Sequence, residues 1–134
     1  MDESLGITNP VLQKLHTEAD SIQLYLKEPA NLQDPTSLTI RLNALDTYLA
    51  RLGEILVFTK ALKERAQNNY LADNEDRLNK LTATASNRQI NAFLYEYKVT
   101  CDRFDTLYGL CQHLSRDLVT QISYIKKQME TFGG

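Results

Sequence analysis

The sequence predicts an all-α protein: a long antiparallel helical hairpin preceded by a shorter N-terminal helix, assembled into an oligomeric helical bundle. Two stretches carry apolar side chains at alternating spacings of three and four residues, which only a helix places on one side. Two helix-start signals and one polar stretch divide the chain. We therefore expect a single domain, residues 1–134, with helices at about 10–27, 35–78 and 87–131.

The first helix is predicted to begin at Asn9-Pro10. Asparagine accepts hydrogen bonds from the free amides of a first helical turn, and proline fits the first helical position. The apolar face that follows consists of Leu12, Leu15, Ala19, Ile22 and Leu26. Pro29 ends the helix, because proline cannot continue the hydrogen-bond ladder. Residues 28–33 then form a short linker.

The second helix opens on the same signal, Asp34-Pro35. One row of its side chains is Leu38, Leu42, Leu45, Leu49, Leu52 and Leu56, and a neighbouring row is Tyr48, Ile55, Phe58 and Leu62. Gly53 lies within these rows and costs the helix about 1 kcal/mol relative to alanine. The periodicity fades in the polar stretch 71–85, so the turn of the hairpin is expected there.

The last third of the chain carries the longest apolar row. It consists of Ile90, Leu94, Tyr97, Cys101, Phe104, Tyr108, Cys111, Ser115, Leu118, Ile122, Ile125, Met129 and Phe132. Ser86-Asn87-Arg88-Gln89 matches a capping box, so we expect this helix to begin at Ser86. Phe93 and the aromatic members of the row are interpreted as core.

The length of the two main helices predicts self-association. Helices of about 40 residues are each about 60 Å long, and a short turn makes them antiparallel. Such a rod has more apolar surface than one chain of this size can cover. We therefore predict a homo-oligomer formed by bundling of the long helices.

Composition narrows the class of protein. A hydrophobic content of 43% and a charged content of 24% are typical of soluble globular proteins. The sequence contains no run of about 18 apolar residues, so no membrane span is predicted. The N-terminus lacks the features of a signal peptide, so a cytoplasmic location and no membrane partner are expected.

The charge is unevenly distributed along the chain. Residues 1–34 hold two cations against six carboxylates, a net charge of −4, so the remainder carries +2. This distribution permits a basic surface on the long helices.

Nothing in the sequence predicts catalysis, a metal or a cofactor. His16 and His113 have no partner at metal-binding spacing and are interpreted as surface or half-buried residues. Cys101 and Cys111 lie ten residues apart on one helix, about 15 Å, which is too far for a disulfide. They are interpreted as small buried residues. Metal-binding, phosphate-loop and nucleophile motifs are absent, so the protein is predicted not to be an enzyme.

A cationic set lies near the predicted turn. Its members are Lys60, Lys63, Arg65, Arg77, Lys80 and Arg88. Cations with a nearby aromatic such as Tyr70 can hold a phosphate backbone and stack a base. The alternative is that these charges only keep a long helix soluble, since Glu64, Glu75 and Asp76 are interleaved with them. Composition alone favours the alternative.

The same segment resembles a known family. Lys60-Ala61-Leu62-Lys63-Glu64-Arg65, running on to Asn69-Tyr70, is similar to the Ala-Leu-Lys-x-Arg segment of the UvsY-type phage recombination mediators. Residues 81–85 and the stretch 123–129 resemble that family's C-terminal helix, and the chain also resembles small helical prophage proteins. The similarity covers about residues 40–130. The chain departs from the family at residues 67–69, where the family has a more acidic, aromatic run.

The resemblance implies a small oligomeric protein of a phage-infected bacterial cell. Such proteins bind single-stranded DNA and help to load a recombinase onto strands coated by single-strand-binding protein. It implies that Lys60, Lys63 and Arg65 contact the strand, with Tyr70 as a stacking partner. Lys80 and Arg88 are added to this predicted site because they lie near the same turn. The alternative is a helical structural or adaptor protein of a phage or mobile element that binds a protein partner and not nucleic acid.

Overall fold

A computed structural model describes residues 6–29 and 33–133 of the chain, with the backbone alone for residues 132 and 133. Four helices fill most of this range: α1 (Pro10–Leu26), α2 (Pro35–Asp73), α3 (Glu75–Asn79) and α4 (Ala83–Gly133). The described residues contain no strand, so the all-α prediction is confirmed.

Three expectations concern residues outside this description. The N-terminal segment through residue 5 and the centre of the expected linker, residues 30–32, lie outside the described residues. The same holds for the side chain of Phe132, the last member of the predicted apolar row.

The predicted starts of the first two helices are confirmed. The Asn9 side chain accepts hydrogen bonds from the amides of Val11 and Leu12 at 2.9 and 3.2 Å. Asp34 accepts from the amide of Thr36 at 3.2 Å. The proline after each cap occupies the first helical position, where an amide hydrogen would have no partner within the helix.

The turn lies within residues 71–85, as predicted, but the long helices on either side of it end and begin at other residues than predicted. α2 ends at Asp73, five residues before the predicted end, and the single-turn helix α3 follows. α4 begins at Ala83, with the Thr82 hydroxyl accepting from the amide of Ala85 at 3.1 Å. The capping box predicted at Ser86 is therefore wrong, since the Ser86 amide donates to the Thr82 carbonyl at 2.9 Å inside the first turn. Thr82 is itself a good cap and adds a turn of helix before Ser86.

α2 and α4 form the predicted antiparallel hairpin. Near the turn, Tyr70 of α2 stacks on Phe93 of α4. Farther from the turn, the Cys111 thiol of α4 donates to the Leu45 carbonyl of α2 at 3.3 Å. The 39 residues of α2 and the 51 residues of α4 correspond to lengths of about 58 and 76 Å.

The shorter helix α1 lies beside the hairpin and runs in the same direction as α4. The Asn9 amide donates to the Glu96 carboxylate at 3.0 Å, and farther along both helices Arg103 donates to Asp20. On the other side, Arg51 of α2 binds Glu18 of α1 with two hydrogen bonds of 2.6 and 2.7 Å. With 17 residues, about 25 Å, α1 covers less than half the length of α2.

This difference in length divides the molecule into two regions. The bundle consists of α1 with residues 38–62 of α2 and 97–125 of α4, and it contains one continuous apolar core. The hairpin tip, residues 68–95, lies beyond the start of α1 and has two long helices only. Among the described residues, the bundle core holds sixteen buried apolar residues, whereas the tip buries only Leu78 and Leu94.

Candidate functional site

The first three cations of the predicted site lie on α2 just before the hairpin tip. A helix turns by about 100° per residue, so Lys60 and Lys63 are about 60° apart, whereas Arg65 is about 140° from Lys60. Lys60 and Arg65 are exposed and Lys63 is half-buried. The three side chains therefore do not form one row, and Arg65 occupies a different flank of the hairpin.

These cations are only weakly engaged by the rest of the protein. The Lys60 ammonium lies 3.9 Å from a carboxylate oxygen of Asp105, and both side chains are more than half exposed. Such a surface pair contributes less than about 1 kcal/mol. Within residues 6–29 and 33–133, no ion pair involves Arg65, Lys80 or Arg88. Their charges are available to a ligand.

Tyr70, the predicted stacking residue, already has an aromatic partner. Its ring stacks on Phe93 with the centroids 4.3 Å apart and an interplanar angle of 17°. Phe93 was expected in the core, but it is 44% exposed because α1 does not reach the hairpin tip. The prediction is correct within the bundle, where Phe104 is fully buried.

Arg77 also differs from the predicted picture. Its guanidinium donates to the Tyr70 hydroxyl at 2.9 Å, to the Asn74 amide oxygen at 3.0 Å and to the side chain of Gln89. These contacts connect the end of α2, the short helix α3 and the start of α4. Arg77 thus stabilises the turn, and the sequence shows only its local spacing to Asn74, not the partners supplied by the fold.

The remaining predicted cations lie at the far end of the hairpin. Lys80 follows α3 in the turn and Arg88 lies in the first turns of α4, both exposed. Lys63 is seven residues from Tyr70 and Arg88 is five residues from Phe93, so about 18 Å along the hairpin separates the two cations. The fold therefore spreads the predicted set into an elongated surface, and the tip itself holds three cations and three carboxylates.

The burial of His16 differs from the prediction made from the sequence. His16 was expected at the surface or half-buried, but it is fully buried between α1 and α4. Its ring contacts Thr100 and Arg103. The spacing gives a signal for this burial, because His16 lies four residues after Leu12 and three before Ala19 on the apolar face of α1. For His113, which is 71% exposed in its side chain, the interpretation is correct.

The cysteines are buried free thiols, as predicted. Burial raises the pKa of the Cys111 thiol, and the nearby Asp46 carboxylate adds to the effect. A thiol that stays protonated is a poor nucleophile. In the described part of the chain, no three His, Cys, Asp or Glu side chains are grouped so as to hold a metal ion. No helix of that part is long and apolar enough to cross a membrane.

The fold and these surfaces define an all-α helical bundle with a projecting two-helix tip. Comparison of the chain with protein-family models, with curated proteins and with solved structures gives no match. The assignment of function therefore depends on the chemistry of the surface and on the resemblance described for residues 60–70.

Proposed function

We propose that this protein is a non-enzymatic accessory protein that binds single-stranded DNA along its hairpin. The observation that carries the proposal is a set of exposed cations without strong internal partners: Lys60, Arg65, Lys80 and Arg88. They flank an aromatic stack, Tyr70 on Phe93, on a segment that α1 leaves uncovered. Proteins bind single strands through cations that contact the phosphate backbone and aromatic side chains on which bases stack.

Self-association is part of the proposal. Each chain offers few cations, and repeated weak sites held in one assembly gain through effective concentration. Leu71, Phe93 and Tyr95 of the tip are exposed apolar side chains that packing against a second copy would cover. By the resemblance to recombination mediators, the further partners would be a recombinase or a single-strand-binding protein, and the cell a phage-infected bacterium.

The strand-binding proposal is tested with two variants of equal charge change. The first, the hairpin variant K60Q/R65Q/K80Q/R88Q, removes the exposed cations of the proposed binding surface and leaves half-buried Lys63 in place. The matched control, K14Q/R116Q/K126Q/K127Q, removes four exposed cations outside that surface, one on α1 and three towards the end of α4. Anisotropy of a labelled oligothymidylate at about 50 mM salt measures binding, because counterion release favours binding most at low salt.

We expect the wild type and the control to bind and the hairpin variant to lose most of its affinity. If all four cations contact phosphates, the slope of log K against log salt falls by about 3, at about 0.7 per contact on a single strand. Absence of wild-type binding at this salt concentration, or equal losses in the two variants, contradicts the proposal.

A protein-binding adaptor is the second candidate, and one observation favours it. The tip has no net charge and exposes apolar side chains, Leu71 and Tyr95 among them. An adaptor predicts that neither charge variant matters and that L71S/Y95S removes partner capture.

The same apolar variant tests self-association by light scattering at micromolar concentration. The wild type is expected to be oligomeric and L71S/Y95S smaller, whereas V11S/L24S, which changes two exposed apolar residues of α1, should behave as the wild type. A monomeric wild type contradicts self-association.

A further inference from the structure

A chain of polar contacts centred on a buried histidine holds α1 on α4. His16 is fully buried, with its Nε2 atom 2.8 Å from the Thr100 hydroxyl and its Nδ1 atom 3.0 Å from a guanidinium nitrogen of Arg103. The same guanidinium binds the Asp20 carboxylate at 2.5 Å and the Gln23 side chain at 3.1 Å. Polar groups at this depth are costly unless each has a partner.

The partners determine where the histidine proton lies. Arginine nitrogens only donate, so Nδ1 of His16 must accept and carries no proton. Nε2 therefore carries the proton and donates to the Thr100 oxygen, whose own hydroxyl donates to the Glu96 carbonyl at 2.8 Å. Each hydrogen bond from Arg103 through His16 and Thr100 to the backbone of α4 then joins one donor to one acceptor. This is possible only when the His16 ring is neutral.

A second proton on the ring is incompatible with the contact between Nδ1 of His16 and the guanidinium of Arg103. It would place an N–H of His16 against an N–H of Arg103 and bring two positive charges to about 3 Å in a buried site. Asp20 neutralises Arg103 from its other side. The Glu96 carboxylate is occupied by Thr8 and Asn9.

The charges on the α2 side do not change this conclusion. The charged α2 groups that contact α1 are Arg51, bound to Glu18, and Arg41, which donates to the carbonyls of the last turn of α1. Glu18 is two residues from His16, about 200° around the helix.

We propose that α1 is a pH-releasable cover of the hairpin. Protonation of His16 breaks its contacts with Thr100 and Arg103, detaches α1 from α4 and exposes apolar residues of the shared core, among them Leu52, Ile55 and Phe104. The device is independent of the strand-binding surface, which uses other residues.

The effect of His16 can be measured separately from that of the carboxylates that hold α1. The hydrogen bond from Arg51 holds the pKa of Glu18 below its usual range. Burial raises the pKa of Glu96, but the amides of Asn9 and Thr8 outweigh it and leave that pKa low as well. Between about pH 7.5 and about pH 5 these carboxylates stay ionised, whereas a histidine ring exposed to water on a released helix takes up its proton within that window.

The experiment is hydrogen exchange with mass spectrometry at the two pH values, corrected for the pH dependence of intrinsic exchange. In the wild type, the α1 amides are expected to lose at least tenfold in protection at about pH 5, while central peptides of α2 keep theirs. H16Q retains a donor and an acceptor but cannot titrate, so its α1 should be protected equally at both pH values. H113Q removes the exposed histidine and should behave as the wild type.

Unchanged α1 protection in the wild type, or the same loss in H16Q, overturns the proposal. Nitrogen NMR of the wild-type His16 ring provides a test that does not require H16Q to fold. An unprotonated Nδ1 is expected near pH 7.5. Its protonation at lower pH should coincide with the loss of hydrogen-exchange protection in α1. A ring that takes up the proton while α1 stays protected also overturns the proposal.

Discussion

The bundle and the hairpin tip are built from the same two helices, yet they are stabilised differently. In the bundle, α1 closes the groove between α2 and α4, and residues such as Leu52 and Phe104 are fully buried. In the tip α1 is absent and α3 is only a single turn, so Phe93 remains half exposed although it belongs to the aromatic pattern of the same helix. There the contacts of Arg77 and the Tyr70–Phe93 stack connect the two helices. A continuous apolar row therefore becomes core only where a third element covers it.

The largest expected effect comes from equal truncations in the two regions. Leu52 in the bundle and Leu94 in the tip are both buried. L52A should lower the free energy of unfolding by about 4 kcal/mol, because the closely packed bundle cannot collapse into the cavity, and L94A by about 2 kcal/mol, because the two-helix tip can relax. Urea denaturation measures both. Equal losses would show that the tip is as well packed as the bundle.

Two arginines give the next comparison. R103A should cost about 2 to 3 kcal/mol, since it leaves His16 and Asp20 without their donor in a largely buried site. R77A should cost about 1 kcal/mol or less, because its partners are exposed to water. Thermal unfolding of the two variants checks the order, and a greater loss in R77A would contradict it.

Acid should weaken the bundle more than the tip. The pKa values of Glu18 and Glu96 are lowered in the folded protein, by Arg51 and by the amides that precede α1. Their contribution is therefore present above their unfolded pKa, near 4.3, and is lost as the pH falls through the lower folded values.

The matched variants separate these contacts from general acid effects. In the H16Q background, where histidine protonation cannot release α1, E18Q and E96Q should each show a smaller decrease in Tm between about pH 5 and about pH 3 than H16Q alone. E75Q, at the exposed tip, should follow H16Q in the same comparison. An H16Q acid profile in both E18Q and E96Q would show that these contacts are not coupled to folding.

The smallest expected effect is a gain within the bundle. A Cβ added at Gly53 would lie 3.7 Å from the Tyr108 ring, an ordinary contact, and one added at Gly109 would meet nothing within 4 Å. G53A and G109A should therefore each raise the free energy of unfolding by up to about 1 kcal/mol through helix propensity. Denaturation midpoints measure the gain, and a loss in G53A alone would indicate that the contact with Tyr108 is too close.

The elements that the sequence predicts correctly are those that depend on neighbours along the chain. The caps at Asn9 and Asp34 need only a side-chain acceptor and the following proline. The start of α4 was misplaced because Thr82 and Ser86 are both good caps, and local chemistry does not decide between them. For the candidate site, the sequence identified the exposed cations. It did not show that Arg77 donates to a side chain of the protein itself, because the partner, Gln89, lies across the turn.

The sequence by itself determined the three longer helices, their order and the antiparallel hairpin, because periodicity and capping operate within a few residues. Only the tertiary structure decided where α1 lies and how far it reaches. That position buries His16 beside Arg103, leaves Phe93 exposed and spreads the cations from Lys60 to Arg88 along the hairpin. The physical reason is that burial and charge pairing depend on which elements meet in space, and the periodicity of one helix carries no record of its neighbours.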